Sequence, residues 1–369
     1  MSVSGKNKTV VVGMSGGVDS SVTAALLLEQ GYTVIGVTMK TYDFDDVGGN
    51  VANEASCCGL GAVNDARLVA ASLGIPHYVV DFREAFGKAV IANFVQEYLI
   101  GRTPNPCVIC NREIKWGKLL AKAEALGADF IATGHYARLR FDEERRRYVI
   151  SRGRYEKKDQ SYALWGVSQS ALSKTLFPLG DLTKPEVRAI AKKLDLRNAS
   201  KDESYEICFV ADNNYERFLK EQVPDLQARV SGGEIVQGNE VVGTHKGFPF
   251  YTIGQRKGIG AFGHKMYVTD IDSVNNTVSI GSAEKLDHRA LVASGVNWSG
   301  VERPASNMKV TAKVRYKDND TSATVHPLED GTIRVIFDNP KRAITPGQSV
   351  VLYDGDDLVG GGVIERVVL

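Results

Sequence analysis

Residues 9–31 read TVVVGMSGGVDSSVTAALLLEQG. At the centre, Gly13-Met14-Ser15-Gly16-Gly17-Val18-Asp19-Ser20 joins a β-branched apolar run to a helical one. Thr9–Gly13 has the pattern of a buried strand, and Ser20–Gln30 that of a helix stopped by Gly31. Glycines between a strand and a helix let the backbone turn tightly and aim several N–H groups at one point. The positive end of the helix dipole adds to them, which makes an anion cradle suited to phosphate. Asp19 is out of place there unless it holds Mg²⁺ or orients the loop. The plainer alternative is a glycine-rich turn whose Ser and Asp serve only as caps. No G-x-x-x-x-G-K-[ST] occurs in the chain, so this is not a Walker A loop.

Outward from this loop, short β-rich runs alternate with helical ones. Strand patterns at Tyr32–Met39, Ile75–Phe82 and Phe130–Gly134 are separated by helical patterns at Ala62–Leu73, 84–100 and a run ending near Leu126. Arg102–Pro106 (RTPNP) breaks the chain between the last two helices. Such alternation predicts βαβ units and a parallel sheet. Thr183-Lys184-Pro185-Glu186 is a capping box opening a further helix. Beyond about residue 230, short strands and turn residues take over. Val310, Ala312, Val314 and Tyr316 alternate with Lys309, Thr311, Lys313 and Arg315, as on a half-buried strand. The expected fold is an α/β parallel-sheet domain over 1–210, a small β-rich domain over 211–290, and a C-terminal antiparallel β-barrel over 291–369.

Over 369 residues, 45 Lys+Arg nearly cancel 44 Asp+Glu, so any nucleic-acid surface must be local. No run is apolar enough to span a bilayer and the N-terminus lacks a signal-peptide pattern, which predicts a cytoplasmic protein with no membrane partner. Five cysteines in a cytosolic chain point to thiol or metal chemistry rather than to a disulfide framework. Cys107-x-x-Cys110 lies just after a proline-rich turn, where a helix start favours thiolate. Cys208 lies in YEICFV, which reads as a strand and, taken alone, as a place for a buried small hydrophobe. Cys57 and Cys58 fall in a glycine-rich loop and are expected to be non-catalytic. Residues 138–158 carry nine Lys/Arg against four Asp/Glu, a stripe suited to phosphate-backbone contact. Gly258-x-Gly260-x-x-Gly263 matches a dinucleotide fingerprint in letters, but no helix pattern follows it.

The loop resembles the SGGxDS signature of the PP-loop ATP pyrophosphatases. RTPNPCVICN (102–111), ATGHYA (132–137), KDQSYAL (158–164), ICF (207–209), GQRKG (254–258), RY (315–316) and TPGQ (345–348) follow in order. The series is similar to that of the tRNA-specific 2-thiouridylase family over nearly the whole chain. The resemblance implies an enzyme that uses ATP and Mg²⁺ to adenylate O2 of the wobble uridine (position 34) of tRNA, with sulfur then delivered to C2. It implies ATP binding by Gly13, Met14, Ser15, Gly16, Gly17, Val18, Asp19 and Ser20, with Met39 and Gly134 on the adenosine. It also implies target-base contact by Asn105, Pro106 and Cys107, and tRNA contact by His135, Lys158, Asp159, Gln160, Arg315, Tyr316 and Gln348.

Cys110 and Cys208 match the family's catalytic pair, Cys208 carrying sulfur as a persulfide and Cys110 attacking it or closing a transient disulfide. A sulfur-donor protein, either a sulfur carrier or a cysteine desulfurase, is the implied partner. Cys107 stands where the family commonly has Asp, a candidate general base. Cys107, Cys110 and Cys208 therefore also count as ligands of a [4Fe–4S] cluster with one open iron. The spacing leaves persulfide relay and cluster both open. Two other functions compete: a PP-loop ligase or amidotransferase adenylating a small molecule, and an RNA-binding protein with a relic nucleotide loop. The first leaves Cys110 and Cys208 unexplained.

Overall fold

A computed structural model describes residues 7–43, 60–201, 207–210 and 212–368. Cys57 and Cys58 lie outside the described residues. The chain divides into two units. The first comprises 1–90, 107–213 and 356–358, and the second 91–106, 214–355 and 359–369.

In the first unit, β1 (Thr9–Gly13), β2 (Thr33–Lys40), β3 (His77–Asp81), β4 (Phe130–Ala132) and β7 (Thr175–Leu176) form a parallel sheet in the order β3-β2-β1-β4-β7. Val10, Val11 and Val12 are wholly buried, as a central strand covered on both faces requires. Helix α1 (Val18–Glu29) buries Val22, Ala24 and Leu27 in a core shared with Ala66 and Val69 of α2 (Leu60–Ser72) and with Val187 and Ala191 of the helix Lys184–Lys193. That last helix opens on the expected capping box, Thr183 and Glu186 bonding each other's backbone N–H. After β1 the chain moves towards β2, whereas β4 and β7 lie on the other side. The loops after β1 and β4 therefore flank a topological switch point, where α/β sheets bind ligands.

Among the described residues around Cys208, the expected strand is absent. Ile207–Val210 form a turn closed by Val210 N–H donating to the Ile207 carbonyl at 2.9 Å. The apolar run is held by burial of Phe209 against Phe86, with ring centroids 5.6 Å apart, and not by a neighbouring strand. An antiparallel hairpin, β5 (Ala137–Asp142) and β6 (Arg147–Arg152), completes the unit, with Asp357 paired to Ser151.

In the second unit, β8 (Glu234–Gln237), β9 (Glu240–Thr244), β10 (Tyr267–Asp272) and β11 (Thr277–Gly281) form a sheet in the order β10-β11-β8-β9. The last strands are β12 (Asp287–Asn297), β13 (Met308–Lys313), β14 (Thr321–Pro327), β15 (Ile333–Arg342), β16 (Ser349–Asp354) and β17 (Asp357–Val368). They run β12-β15-β14-β13-β16-β17, and a β12–β17 pairing closes them into a barrel that has no free edge. Leu291, Ala312, Val325, Val335, Leu352 and Ile364 fill it. The alternation from Lys309 holds through Val314, which is 1% exposed. It fails at Tyr316, which is 41% exposed, because β13 ends at Lys313 and the chain turns there.

Candidate nucleotide site and thiol loop

The loop after β1 is built to hold its own backbone. Gly16 has φ +71°, and a Cβ there would lie 2.2 Å from the Ala62 carbonyl oxygen, so only glycine fits. The amide of Asn198, 3% exposed, donates to the Gly16 carbonyl at 3.0 Å and to Ser21 Oγ at 2.8 Å. Ser20 Oγ accepts from Ser15 N–H at 3.2 Å and donates to the Gly17 carbonyl at 3.1 Å. Met14 is pinned from β2, its N–H donating to the Val37 carbonyl and its carbonyl accepting from Thr38 Oγ1, each at 2.8 Å. Gly17 caps α1 without a side-chain hydrogen bond, and Val18 opens the helix beside it. The first-turn N–H groups and the positive end of α1 are thus available to an anion.

Asp19 does not face that anion as an uncompensated charge. Both carboxylate oxygens accept from Lys184 Nζ, at 2.7 and 2.8 Å, and Oδ1 also accepts from Tyr136 Oη at 2.7 Å. Lys184 is 7% exposed, so its charge is committed to this pair. Of the two roles foreseen for Asp19, the geometry supports orientation of the loop. Lys184, Tyr136 and Asn198 were not singled out from the sequence as parts of this site. The capping box at Thr183 marked the helix that carries Lys184 but not what the lysine touches.

Gly134, after β4, packs directly on the loop. A Cβ there would come within 2.9 Å of Asp19 C and Ser20 N. Met39 is half-buried near the end of β2. His135 is buried, its Nδ1 2.7 Å from Thr133 Oγ1 and its Nε2 3.4 Å from Lys115 Nζ. Burial, reinforced by the Lys115 charge, holds its pKa well below the usual histidine value of 6.5, so the ring is neutral. Asp159 and Gln160 shape the chain next to it. Asp159 is 9% exposed and accepts from Gly153 N–H, Ser161 N–H and Ser161 Oγ, while Gln160 Oε1 accepts from Tyr136 N–H. Lys158 is half-buried at the end of a short 3₁₀ turn.

Pro106 opens the helical run that carries the thiols. Cys107 is exposed and Cys110 half-buried, and the backbone winds as a π-helix from Cys110 to Leu119, a geometry frequent at functional sites. Cys208 is half-buried, and its carbonyl accepts from Tyr42 Oη at 2.6 Å. Among the described residues, no three His, Cys, Asp or Glu side chains converge as a metal-ligand set. Cys107, Cys110 and Cys208 are all among the described residues, and their thiols do not fit a shared cluster in this arrangement.

Part of the arginine-rich stretch is neutralised from within the first unit. Arg140 makes a bidentate pair with Asp357 at 2.8 and 2.7 Å, and Arg138 Nη2 donates to Asp356 at 2.9 Å. Arg145 lies 3.8 Å from Asp357, and Arg154 pairs with Glu186. The expected phosphate-binding stripe is reduced accordingly.

In the second unit, Arg315 Nη1 donates to the Arg342 carbonyl at 3.1 Å, and Arg315 lines a cavity of about 360 Å³ with Thr103, Arg342 and Gln348. Asn105 is half-buried and Pro106 buried in this unit. The dinucleotide-like glycines Gly258, Gly260 and Gly263 all have positive φ and precede strand β10, so they start no helix.

The parallel sheet with its switch-point loop, followed by the two β-rich regions, defines a chain built of a HUP domain, a PRC-barrel domain and a closed antiparallel barrel. Family models match in that sense: tRNA methyl transferase HUP domain over residues 8–212, tRNA methyl transferase PRC-barrel domain over 216–282, and aminomethyltransferase beta-barrel domain over 288–364. The chain is 51% identical over 365 residues to tRNA-specific 2-thiouridylase MnmA of Salinibacter ruber, covering 98% of this chain and 95% of that one. To the namesake of Cytophaga hutchinsonii it is 52% identical over 366 residues, with 98% of each chain covered. The chain belongs to the tRNA-specific 2-thiouridylase family.

Proposed function

We propose that this protein thiolates tRNA: it adenylates O2 of the wobble uridine with ATP and replaces that oxygen with sulfur, yielding 2-thiouridine, AMP and pyrophosphate. One observation carries the reading. The Gly13–Ser20 loop presents backbone N–H groups at the start of α1 while its own carboxylate is neutralised by Lys184 and Tyr136. Backbone donors then face the triphosphate with no opposing charge. Asp19 is already paired with Lys184 and Tyr136, so Mg²⁺ would be held mainly by the nucleotide that brings it, where it would offset phosphate charge. Gly134 and Met39 flank the adenosine.

Uridine O2 attacks the α-phosphorus and pyrophosphate leaves. The base must first leave the anticodon stack, and Asn105, Pro106 and Cys107 receive it. Cys208 carries the incoming sulfur as a persulfide from a donor protein. The terminal sulfur attacks C2 and AMP departs. Cys110 then attacks Cys208 Sγ, breaking the S–S bond and leaving a Cys110–Cys208 disulfide that a thiol reductant resets. Lys158, Arg315, Tyr316 and Gln348 belong to the tRNA-binding surface. His135, Asp159 and Gln160 shape the loops beside it. With tRNA as substrate the protein acts in the cytoplasm, and no helix of the described residues is long and apolar enough to cross a membrane.

The test is tRNA-dependent release of AMP and pyrophosphate. Ser15→Ala should abolish it, because the serine oxygens organise the loop. Cys110→Ala and Cys208→Ala should each still release pyrophosphate, the product of adenylation, without thiolation. Release at the normal rate by Ser15→Ala would sink the phosphate-cradle reading.

A further inference from the structure

We propose that Gln348 is a positioning residue: its side-chain amide clamps the Thr103–Pro104 backbone and so fixes the segment that delivers Asn105, Pro106 and, one peptide bond on, Cys107. The inference rests on the thiolating function proposed above, and deepens it. Gln348 Nε2 donates one hydrogen to the Thr103 carbonyl and the other to the Pro104 carbonyl, each at 3.0 Å. The opposite amide orientation would set Oε1 against two carbonyl oxygens, so the contacts fix which end is nitrogen.

Everything around this contact is arranged to hold the same segment. Thr103 N–H donates to the Pro346 carbonyl at 2.9 Å, and Thr103 Oγ1 donates to Thr252 Oγ1 at 3.2 Å. Gly347 has φ +88°, and a Cβ there would fall 2.8 Å from the Thr103 carbonyl oxygen, so glycine lets the two backbones close up. The preceding residue, Arg102, is paired with Glu97 at 2.7 Å and with Glu365 at 2.5 Å, all three partly buried. Gln348 is itself fixed by backbone bonds to Ile364 on β17 and to Thr345.

This arrangement changes what Gln348 can offer RNA. Phosphate oxygens accept hydrogen bonds and donate none. With both N–H groups committed to Thr103 and Pro104, Gln348 cannot donate to a phosphate without releasing the clamp. Its main effect on the reaction therefore runs through Asn105–Cys107. A displacement of about 1 Å in such a segment costs on the order of 100-fold in rate.

Two full-length variants test this. Gln348→Glu keeps the size but loses both donors, and Gln348→Asn is too short to reach both carbonyls. Hydrogen–deuterium exchange of the peptide spanning 100–107 needs no turnover. Loss of one to two hydrogen bonds should speed exchange there about tenfold, with β13 and β14 unchanged. At saturating ATP and tRNA, the single-turnover thiolation rate should fall about 100-fold. Unaltered exchange in both variants would overturn the clamp. So would a weakened Kd with full rate at saturation, the behaviour of a plain RNA contact. Faster exchange in variants of an enzyme whose wild type forms no thiouridine would leave the clamp standing and remove the thiolation reading instead.

Discussion

The phosphate loop and the arginine-rich hairpin treat charge in opposite ways. At the loop, one carboxylate, Asp19, is neutralised by Lys184, and what remains exposed to a ligand is a set of uncharged backbone donors. At the hairpin, Arg138, Arg140, Arg145 and Arg154 are paired with Asp356, Asp357 and Glu186, and the apparent basic surface becomes an internal ion-pair network. An acidic motif residue thus sits in the loop proposed to take a polyanion, while four of the nine basic residues of 138–158 are structural. The sign of a side chain says little until its partner is known.

The comparison is broken most severely by removing Lys184. Lys184→Met leaves Asp19 with Tyr136 and solvent in place of its counter-ion. Loss of one partner of a buried pair costs about 3 kcal/mol or more. Asp19 is only partly buried, so the lower end applies. Urea denaturation should show that loss, and tRNA-dependent AMP formation should fall about 100-fold. Adding Asp19→Asn should restore most of the stability, because no unpaired charge then remains. A Lys184→Met enzyme with normal ATP turnover would detach the ion pair from the site.

A smaller effect is expected next to the loop, at His135. Its folded pKa lies well below 6.5 because of burial and then of Lys115, whereas the unfolded chain binds a proton near pH 6.5. The unfolded state therefore takes up more protons on acidification. The contribution of His135 is intact above pH 6.5 and is lost as pH falls below it, by at most about 1.4 kcal/mol per pH unit. His135→Asn should remove that part of the slope between pH 7.5 and 5.5. An unchanged slope would mean that the ring is protonated in the fold.

The hairpin gives the smallest change. Arg140→Ala should cost about 1 kcal/mol or less, since the pair is partly exposed, and should leave the salt dependence of tRNA binding unaltered. Arg315→Ala should reduce the log–log salt slope by about one unit. A reversal of these two results would return the hairpin to the RNA interface and remove the Arg315 corner from it.

The sequence is most legible where function is local. Gly16, Ser20 and the start of α1 lie within one short segment, and the capping box at Thr183 spans four residues. Tyr136 and Lys184 escaped notice because they meet Asp19 from 117 and 165 residues away. The hairpin misled for the same reason, as Asp357 reaches Arg140 across 217 residues. YEICFV has strand propensity, yet burial of Phe209 and an Ile207–Val210 turn decide the shape of its described part, 207–210. Gln348 stood out through its motif, but its contact with Thr103 and Pro104 depends on the fold.

Nucleoside analysis of tRNA after incubation with ATP, Mg²⁺ and a persulfide source, with AMP and pyrophosphate counted in parallel, tests the central claim most directly. The account predicts 2-thiouridine at the wobble position, formed one-to-one with AMP by the wild type and absent with Cys110→Ala while pyrophosphate still appears. AMP formed without tRNA and no thiolated nucleoside would contradict it, and would point to a ligase that adenylates a small molecule.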